Sequence, residues 1–176
     1  MQLSFGGRGE LLTLTTAEPE GPLPLLQGDW LLSGMYVNEL LVRLVPRGEG
    51  DQELFALYER TICALVEGVA IEPLLRRFEV ALLELCGYGL PLFTVEPDSG
   101  PIRPDLRYEF RADHGFVPVG NRMPAGSLAG ATILALGGLH EFSPDALLEA
   151  KRFMRGVLRQ YLGDKPLHAR SLFQAH

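Results

Sequence analysis

The chain has 176 residues, of which 47% are hydrophobic and 22% are charged. This composition excludes a disordered chain, and the length is sufficient for one substantial hydrophobic core. The longest apolar runs are shorter than the roughly 20 residues that a membrane-spanning helix needs. The first residues lack the charged and then apolar order of a signal peptide, so we expect a cytoplasmic protein.

The formal net charge of −6 argues against a surface that is basic throughout. The charge is unevenly distributed, because the segment from residue 151 to the end contains six basic residues and one acidic residue. A basic terminal segment on an acidic body predicts either a local contact with a polyanion or a charge match within the molecule.

Two short strands are predicted within residues 2–16. Leu3 and Phe5 alternate with polar residues, and a glycine-rich turn at 6–9 separates them from Leu12 and Leu14, which alternate again. An isolated hairpin is marginally stable in water, so we expect it to lean on another part of the chain.

Two helices are predicted next, over residues 30–45 and 52–67. Both segments repeat apolar residues at helical spacing. In the first, Glu39 and Arg43 are spaced as an i, i+4 ion pair on the polar side. In the second, Asp51 is placed to cap the helix N-terminus.

Residues 73–87 are predicted to form the central helix of the fold. Pro73 suits the first helical position and Gly87 suits a C-terminal stop. The apolar side chains of this segment cover an arc too wide for a helix lying on a surface. They are Leu74, Leu75, Phe78, Ala81, Leu82 and Leu85.

The opposite side of the central helix combines cations with apolar side chains. Arg76, Val80 and Leu83 follow one another at i, i+4 and i+7, and Arg77 lies beside them. Spacing alone favours a second helix packed on this side, with Arg76 at its rim. The alternative is an open groove for a partner segment that carries an apolar anchor and a negative charge.

The region from 91 to 104 is rich in proline and is predicted to be an irregular loop. Residues 107–119 alternate around a turn and predict a second hairpin. A short helix is expected to run from Ser127 to Leu136, where two glycines stop it.

The last long helix has clear start and stop signals, with Ser143 as N-cap, Pro144 at the first helical position and Gly163 at the end. Its cations fall on one side and form either a solvated stripe or a phosphate contact. They are Lys151, Arg152, Arg155 and Arg159.

Local catalytic motifs are missing from the sequence. It contains neither a phosphate-binding P-loop motif nor a G-x-S-x-G nucleophile motif, and its helical carboxylates are spaced for ion pairing. Cys63 and Cys86 lie in apolar helical patterns, so both are expected to be buried free thiols. We therefore predict a protein without catalysis, metal or cofactor.

Several short strings, taken in order, resemble the RecO family of bacterial DNA repair and recombination proteins. Each string is weakly specific, but the ordered set covers nearly the whole chain. The strings are FGGRGE (5–10), TAE (16–18), GMYVNELL (34–41), LF (54–55), LRRFE (75–79), LCGYG (85–89), AKRF (150–153), YLGDKPL (161–167) and RSLF (170–173).

This resemblance implies a mainly α fold, α+β overall. Members of the family have an N-terminal OB-fold and a helical C-terminal domain. Residues 1–18 would be the last hairpin of the OB-fold, and residues 19–176 the helical domain with a second small hairpin. Some relatives carry a four-cysteine zinc site, but the corresponding stretch here, 91–119, contains no cysteine and implies a zinc-free member.

The resemblance also implies a function in DNA repair and recombination. Such a mediator binds the acidic C-terminal tail of single-stranded DNA-binding protein (SSB), works with RecR, and assists RecA loading and strand annealing, in the cytoplasm and near the nucleoid. Single-stranded DNA binding is expected to be weak without a full OB-fold. The expected tail site is Arg76, Arg77, Val80 and Leu83. The expected DNA contacts are Lys151, Arg152, Arg155, Arg159, Lys165 and Arg170.

Two other functions remain open from the sequence. The chain could be a structural or scaffold fragment in which both cationic features are solvated. An enzyme with a site in the proline-rich loop is the third alternative, and a deep pocket lined by ionisable groups would favour it.

Overall fold

The computed structural model describes residues 2–8, 12–18, 25–46, 51–95, 100–112, 114–120, 124–163 and 167–169. The described residues form a mainly helical α+β fold, as expected. Its elements are β1 (Gln2–Gly6), β2 (Thr13–Glu18), α1 (Gly28–Leu44), α2 (Gln52–Val66), α3 (Ile71–Leu85), β3 (Arg107–Arg111), β4 (Gly115–Pro118), β5 (Leu128–Ala129), α4 (Gly130–Leu136) and α5 (Pro144–Leu162).

Helix α3 lies at the centre of the bundle and contacts α1, α2, α4 and α5, which confirms the predicted central helix. Phe78 and Leu82 of α3 are buried together with Leu40 of α1 and Leu158 of α5. The helix begins two residues before Pro73, because the cap is at Ala70.

The predicted capping residues take their expected roles. The Asp51 side chain accepts a hydrogen bond from the backbone N–H of Glu53 at 3.2 Å. The Ser143 hydroxyl accepts one from Ala146 N at 3.2 Å. Gly163 ends α5 with φ +70°, a left-handed conformation that glycine adopts without steric cost.

The second predicted hairpin is confirmed and belongs to a three-stranded antiparallel sheet with strand order β4-β3-β5. Tyr108 of β3 pairs with Pro118 on one side and Leu128 on the other. The expected helix start at Ser127 was wrong, since residues 128–129 pair with β3 before α4 begins at Gly130. Two residues of strand are too few to show an alternating pattern in the sequence.

The N-terminal hairpin is also confirmed, with β1 and β2 antiparallel and the register shifting between Ser4 and Phe5. Every residue of the two strands except Gly6 is exposed. Within the described part of the chain, therefore, the hairpin does not bury its apolar face as the sequence led us to expect.

The cysteine expectation holds in part. Both thiols are free, but Cys63 is exposed and only Cys86 is partly buried. Burial raises the pKa of the Cys86 thiol. Cys63 was misassigned because α2 buries a narrow face, centred on Leu57, Thr61 and Leu65.

Glu149 of α5 joins the helix to the small sheet. Its carboxylate accepts hydrogen bonds from Arg107 Nη2 at 2.7 Å, Ala129 N at 3.0 Å and the Thr132 hydroxyl at 2.8 Å. Burial acts to raise the pKa of Glu149, but the hydrogen bonds outweigh it, so the pKa lies below its ordinary value of 4.5.

We predict that Glu149→Gln lowers the free energy of unfolding at pH 7 by about 1 kcal/mol, because it removes a charge-assisted network. Since folding lowers the pKa of Glu149, its stabilisation is present above pH 4.5 and lost as the pH falls through the lower folded value. Urea unfolding at pH 7 and in steps below pH 4.5 should therefore show the two proteins converging in acid. A difference that stays constant across this range would contradict the assignment.

Candidate binding surfaces

Arg76 and Glu79 of α3 form an ion pair inside the bundle. Arg76 Nη2 lies 2.6 Å from Glu79 Oε1, and the two residues are 3% and 0% exposed. The Tyr36 hydroxyl of α1 donates to the same carboxylate oxygen at 2.6 Å. We call these three residues the buried polar cluster. It ties α3 to α1 through groups that have left water.

The predicted groove is not open at Arg76 and Leu83. Leu83 is fully buried in the core, Arg76 is buried with Glu79, and Val80 is half-buried. The interpretation of these residues as an exposed face was wrong, because the charge of Arg76 is neutralised within the fold. The packed alternative, which the spacing favoured, describes this side of the helix better.

Arg77 is the accessible cation of the predicted tail site. Its side chain is 44% exposed and lies 3.5 Å from the carboxylate of Glu141, which is itself 93% exposed. The guanidinium carbon lies 6.0 Å from the centre of the Phe142 ring. Val80 follows one turn later on the same helix. We call Arg77, Val80 and Phe142 the α3 rim.

The cations of α5 form an exposed stripe, as the spacing predicted. Lys151 is paired with Glu72 of α3 at 2.6 Å, which the local sequence could not show. Arg152 and Arg155 are exposed, with no acidic partner in the described part of the chain. Arg159 is also exposed. The stripe is thus paired at Lys151 and exposed further along the helix.

The other two predicted DNA contacts, Lys165 and Arg170, lie outside the described residues. The segment 167–169 between them is held on α1 by Glu39, whose carboxylate accepts from His168 N and Ala169 N at 2.9 Å each. The expected pair with Arg43 is present at 2.8 Å. Burial acts to raise the pKa of Glu39, but these backbone hydrogen bonds and Arg43 lower it overall.

Sequence reasoning missed a cavity of about 270 Å³ where the C-terminal end of α5 meets the β3–β4 hairpin and the chain that leaves α3. We call it the aromatic cavity. Its walls and rim come from distant parts of the chain, so no local motif could have found it. The residues that matter for its chemistry are Leu90, Pro91, Phe110, His114, Gln160 and Tyr161.

The aromatic cavity does not have the make-up of a hydrolytic active site. Among the described residues that line it there is an imidazole and a phenol but no carboxylate. Elsewhere in the described ranges, no group of His, Cys, Asp and Glu side chains is arranged to hold a metal ion. The helices found in those ranges are also too short or too polar to cross a bilayer.

Comparison with protein families gives a match over most of the chain. Residues 26–171 match the family model described as "Recombination protein O C terminal". The matched region begins after the N-terminal hairpin and includes all five helices, the three-stranded sheet and the surfaces described above.

Individual relatives agree with the family match. The chain is 42% identical over 173 residues to the DNA repair protein RecO of Pseudomonas aeruginosa strain PAO1, covering 98% of this chain and 73% of the relative. It is 41% identical to the RecO proteins of Alkalilimnicola ehrlichii, covering 97% of this chain and 68% of the relative, and of Methylococcus capsulatus, covering 98% and 71%. The chain therefore belongs to the RecO family of DNA repair proteins.

Proposed function

We propose that the chain acts as a non-enzymatic recombination mediator, which binds the SSB C-terminal tail and works with RecR in RecA loading and strand annealing. The observation that carries this proposal is the family membership over 98% of the chain. The described residues that line the aromatic cavity include no carboxylate, which gives no support to the enzyme alternative. A mediator of this kind would act in the cytoplasm, near the nucleoid.

The proposed tail site is centred on the α3 rim, with Arg76 and Leu83 supporting it from inside the bundle. The SSB tail is acidic and ends in an apolar residue with a free carboxylate. Arg77 can receive the carboxylate, since its present pair with Glu141 is long and exposed and therefore contributes little stability. Val80 and the Phe142 ring supply an apolar surface for the terminal side chain.

Charge reversal at Arg77 tests the tail site. Arg77→Glu should weaken binding of a fluorescein-labelled tail peptide by about tenfold or more, because attraction to the carboxylate becomes repulsion. Fluorescence polarisation gives the dissociation constant. Since Arg77 is exposed and weakly paired, the variant should fold normally, which circular dichroism will check.

Arg60→Glu is the matched control, since Arg60 is an exposed helical arginine on α2. It makes the same change in net charge on a different helix. Equal losses in the two variants would indicate a general effect of charge and would contradict the site. If Arg77→Glu binds the tail peptide with unchanged affinity, the peptide does not bind at the α3 rim.

The proposed DNA surface is the stripe of α5. Arg152, Arg155 and Arg159 are exposed along the helix, while the Lys151 ammonium is already engaged with Glu72. Lys165 and Arg170 would extend the surface. Phosphate contacts of this kind give binding that is independent of sequence and sensitive to salt.

We predict weak binding of single-stranded oligonucleotides whose affinity falls as salt rises. Replacing Arg152, Arg155 and Arg159 together by Ala should reduce the slope of log K against log salt by about 1.4 or more, since each phosphate contact on a single strand contributes roughly 0.7 and Arg152 and Arg155 supply two of them. Lys151→Ala should change the slope much less, because Glu72 already neutralises the ammonium. Anisotropy titrations at several salt concentrations measure both.

Binding that does not depend on salt would contradict the phosphate contact. A wild-type chain that binds neither the oligonucleotide nor the tail peptide would instead support the alternative of a structural or scaffold fragment.

A further inference from the structure

The two aromatic rings that line the cavity, Phe110 and Tyr161, each pack against other aromatic rings. The Phe110 ring packs against Phe116 and Phe153, with ring centres 5.1 and 5.3 Å apart. The Tyr161 ring stacks on Tyr88 at 4.2 Å, with an angle of 27° between the planes. Rings fixed in this way can receive a planar ligand with little loss of side-chain entropy.

The lining of the cavity includes two exposed polar side chains. The His114 imidazole and the Gln160 amide line the opening, and neither side chain has a hydrogen-bond partner in the described ranges. An amide and an imidazole both offer donors and acceptors that suit the edge of a heteroaromatic ring.

The size and position of the cavity limit further which class of ligand it can bind. Its volume of about 270 Å³ lies just below the range usual for drug-sized ligands, which favours a single ring system. Gln160 directly follows Arg159 in α5, and at about 100° per residue the cationic stripe occupies the adjacent side of the helix. A ligand that occupies both features would combine a planar ring with a chain of negative charges.

We propose that the aromatic cavity binds one nucleobase of a single DNA strand, whose phosphates continue along Arg155 and Arg159. The base would lie between Phe110 and Tyr161, with His114 and Gln160 at its polar edge. This inference rests on the proposed phosphate contact of α5 and adds to it a base-dependent component of binding.

The test compares two labelled strands of equal length, an oligothymidylate and an abasic strand with the same phosphates, by anisotropy on the full chain. At fixed salt the oligothymidylate should bind about tenfold more tightly, since stacking of one base typically contributes that much. Tyr161→Phe keeps the ring and should keep this preference. Tyr161→Ala should abolish it while affinity for the abasic strand stays unchanged.

Gln160→Ala is the second variant, at an exposed position where folding is not at stake. The substitution should reduce the difference in affinity between the oligothymidylate and the abasic strand. The affinity for the abasic strand itself should not change. Free thymidine monophosphate should compete only at far higher concentrations than the strand. If free thymidine monophosphate competes at concentrations similar to those of the strand, the cavity binds a single nucleotide and not a strand, which would overturn the proposal.

The outcomes separate this inference from the proposed function. Equal affinity of the wild-type chain for both strands would overturn the base site and leave the phosphate contact standing. Binding of neither strand would overturn both. A preference that survives in Tyr161→Ala would place base recognition elsewhere and overturn the cavity as its site.

Discussion

The buried ion pair between Arg76 and Glu79 is the tightest constraint on α3, because neither charge can stay in the bundle without the other. Removing two charges from water costs several kcal/mol for each, and only a close pair with further hydrogen bonds offsets this cost. The 2.6 Å contact and the hydroxyl of Tyr36 satisfy one carboxylate oxygen, whereas Arg76 Nε and Nη1 are buried without a hydrogen-bond partner among the described residues. The bond from Tyr36 links α1 to α3, so the cluster favours the rotation of α3 that faces Glu79 towards α1.

That rotation decides which groups of α3 reach the surface. With Arg76 and Leu83 inside, Arg77 is exposed and Val80 is half-buried at the edge. The same orientation places Glu72 against Lys151, so α5 is aligned with its remaining arginines outward. The exposed position of Arg77 on the α3 rim therefore follows from the orientation of the central helix.

The sequence predicted the helices well because their signals are local, as at Asp51 and Ser143. It misplaced the buried face of α3 by roughly 80° of helix rotation, since a hydrophobic pattern assigns every Arg and Glu to the surface. The i, i+3 spacing of Arg76 and Glu79 permits a pair, but nothing local indicates that this pair is buried or that Glu79 also meets Tyr36, which is 43 residues away. Strand β5 and the aromatic cavity were missed for a related reason, because both are assembled from distant segments.

A double-mutant cycle on Arg76→Met and Glu79→Leu tests the central role of the buried pair most directly, with the free energy of unfolding measured in urea. Each single variant should lose about 3–5 kcal/mol, because it leaves one buried charge without its partner. The double variant should lose far less than the sum of the two, because both charges have gone. Additive losses, or single losses below about 1 kcal/mol, would mean that the two charges do not stabilise each other inside the bundle.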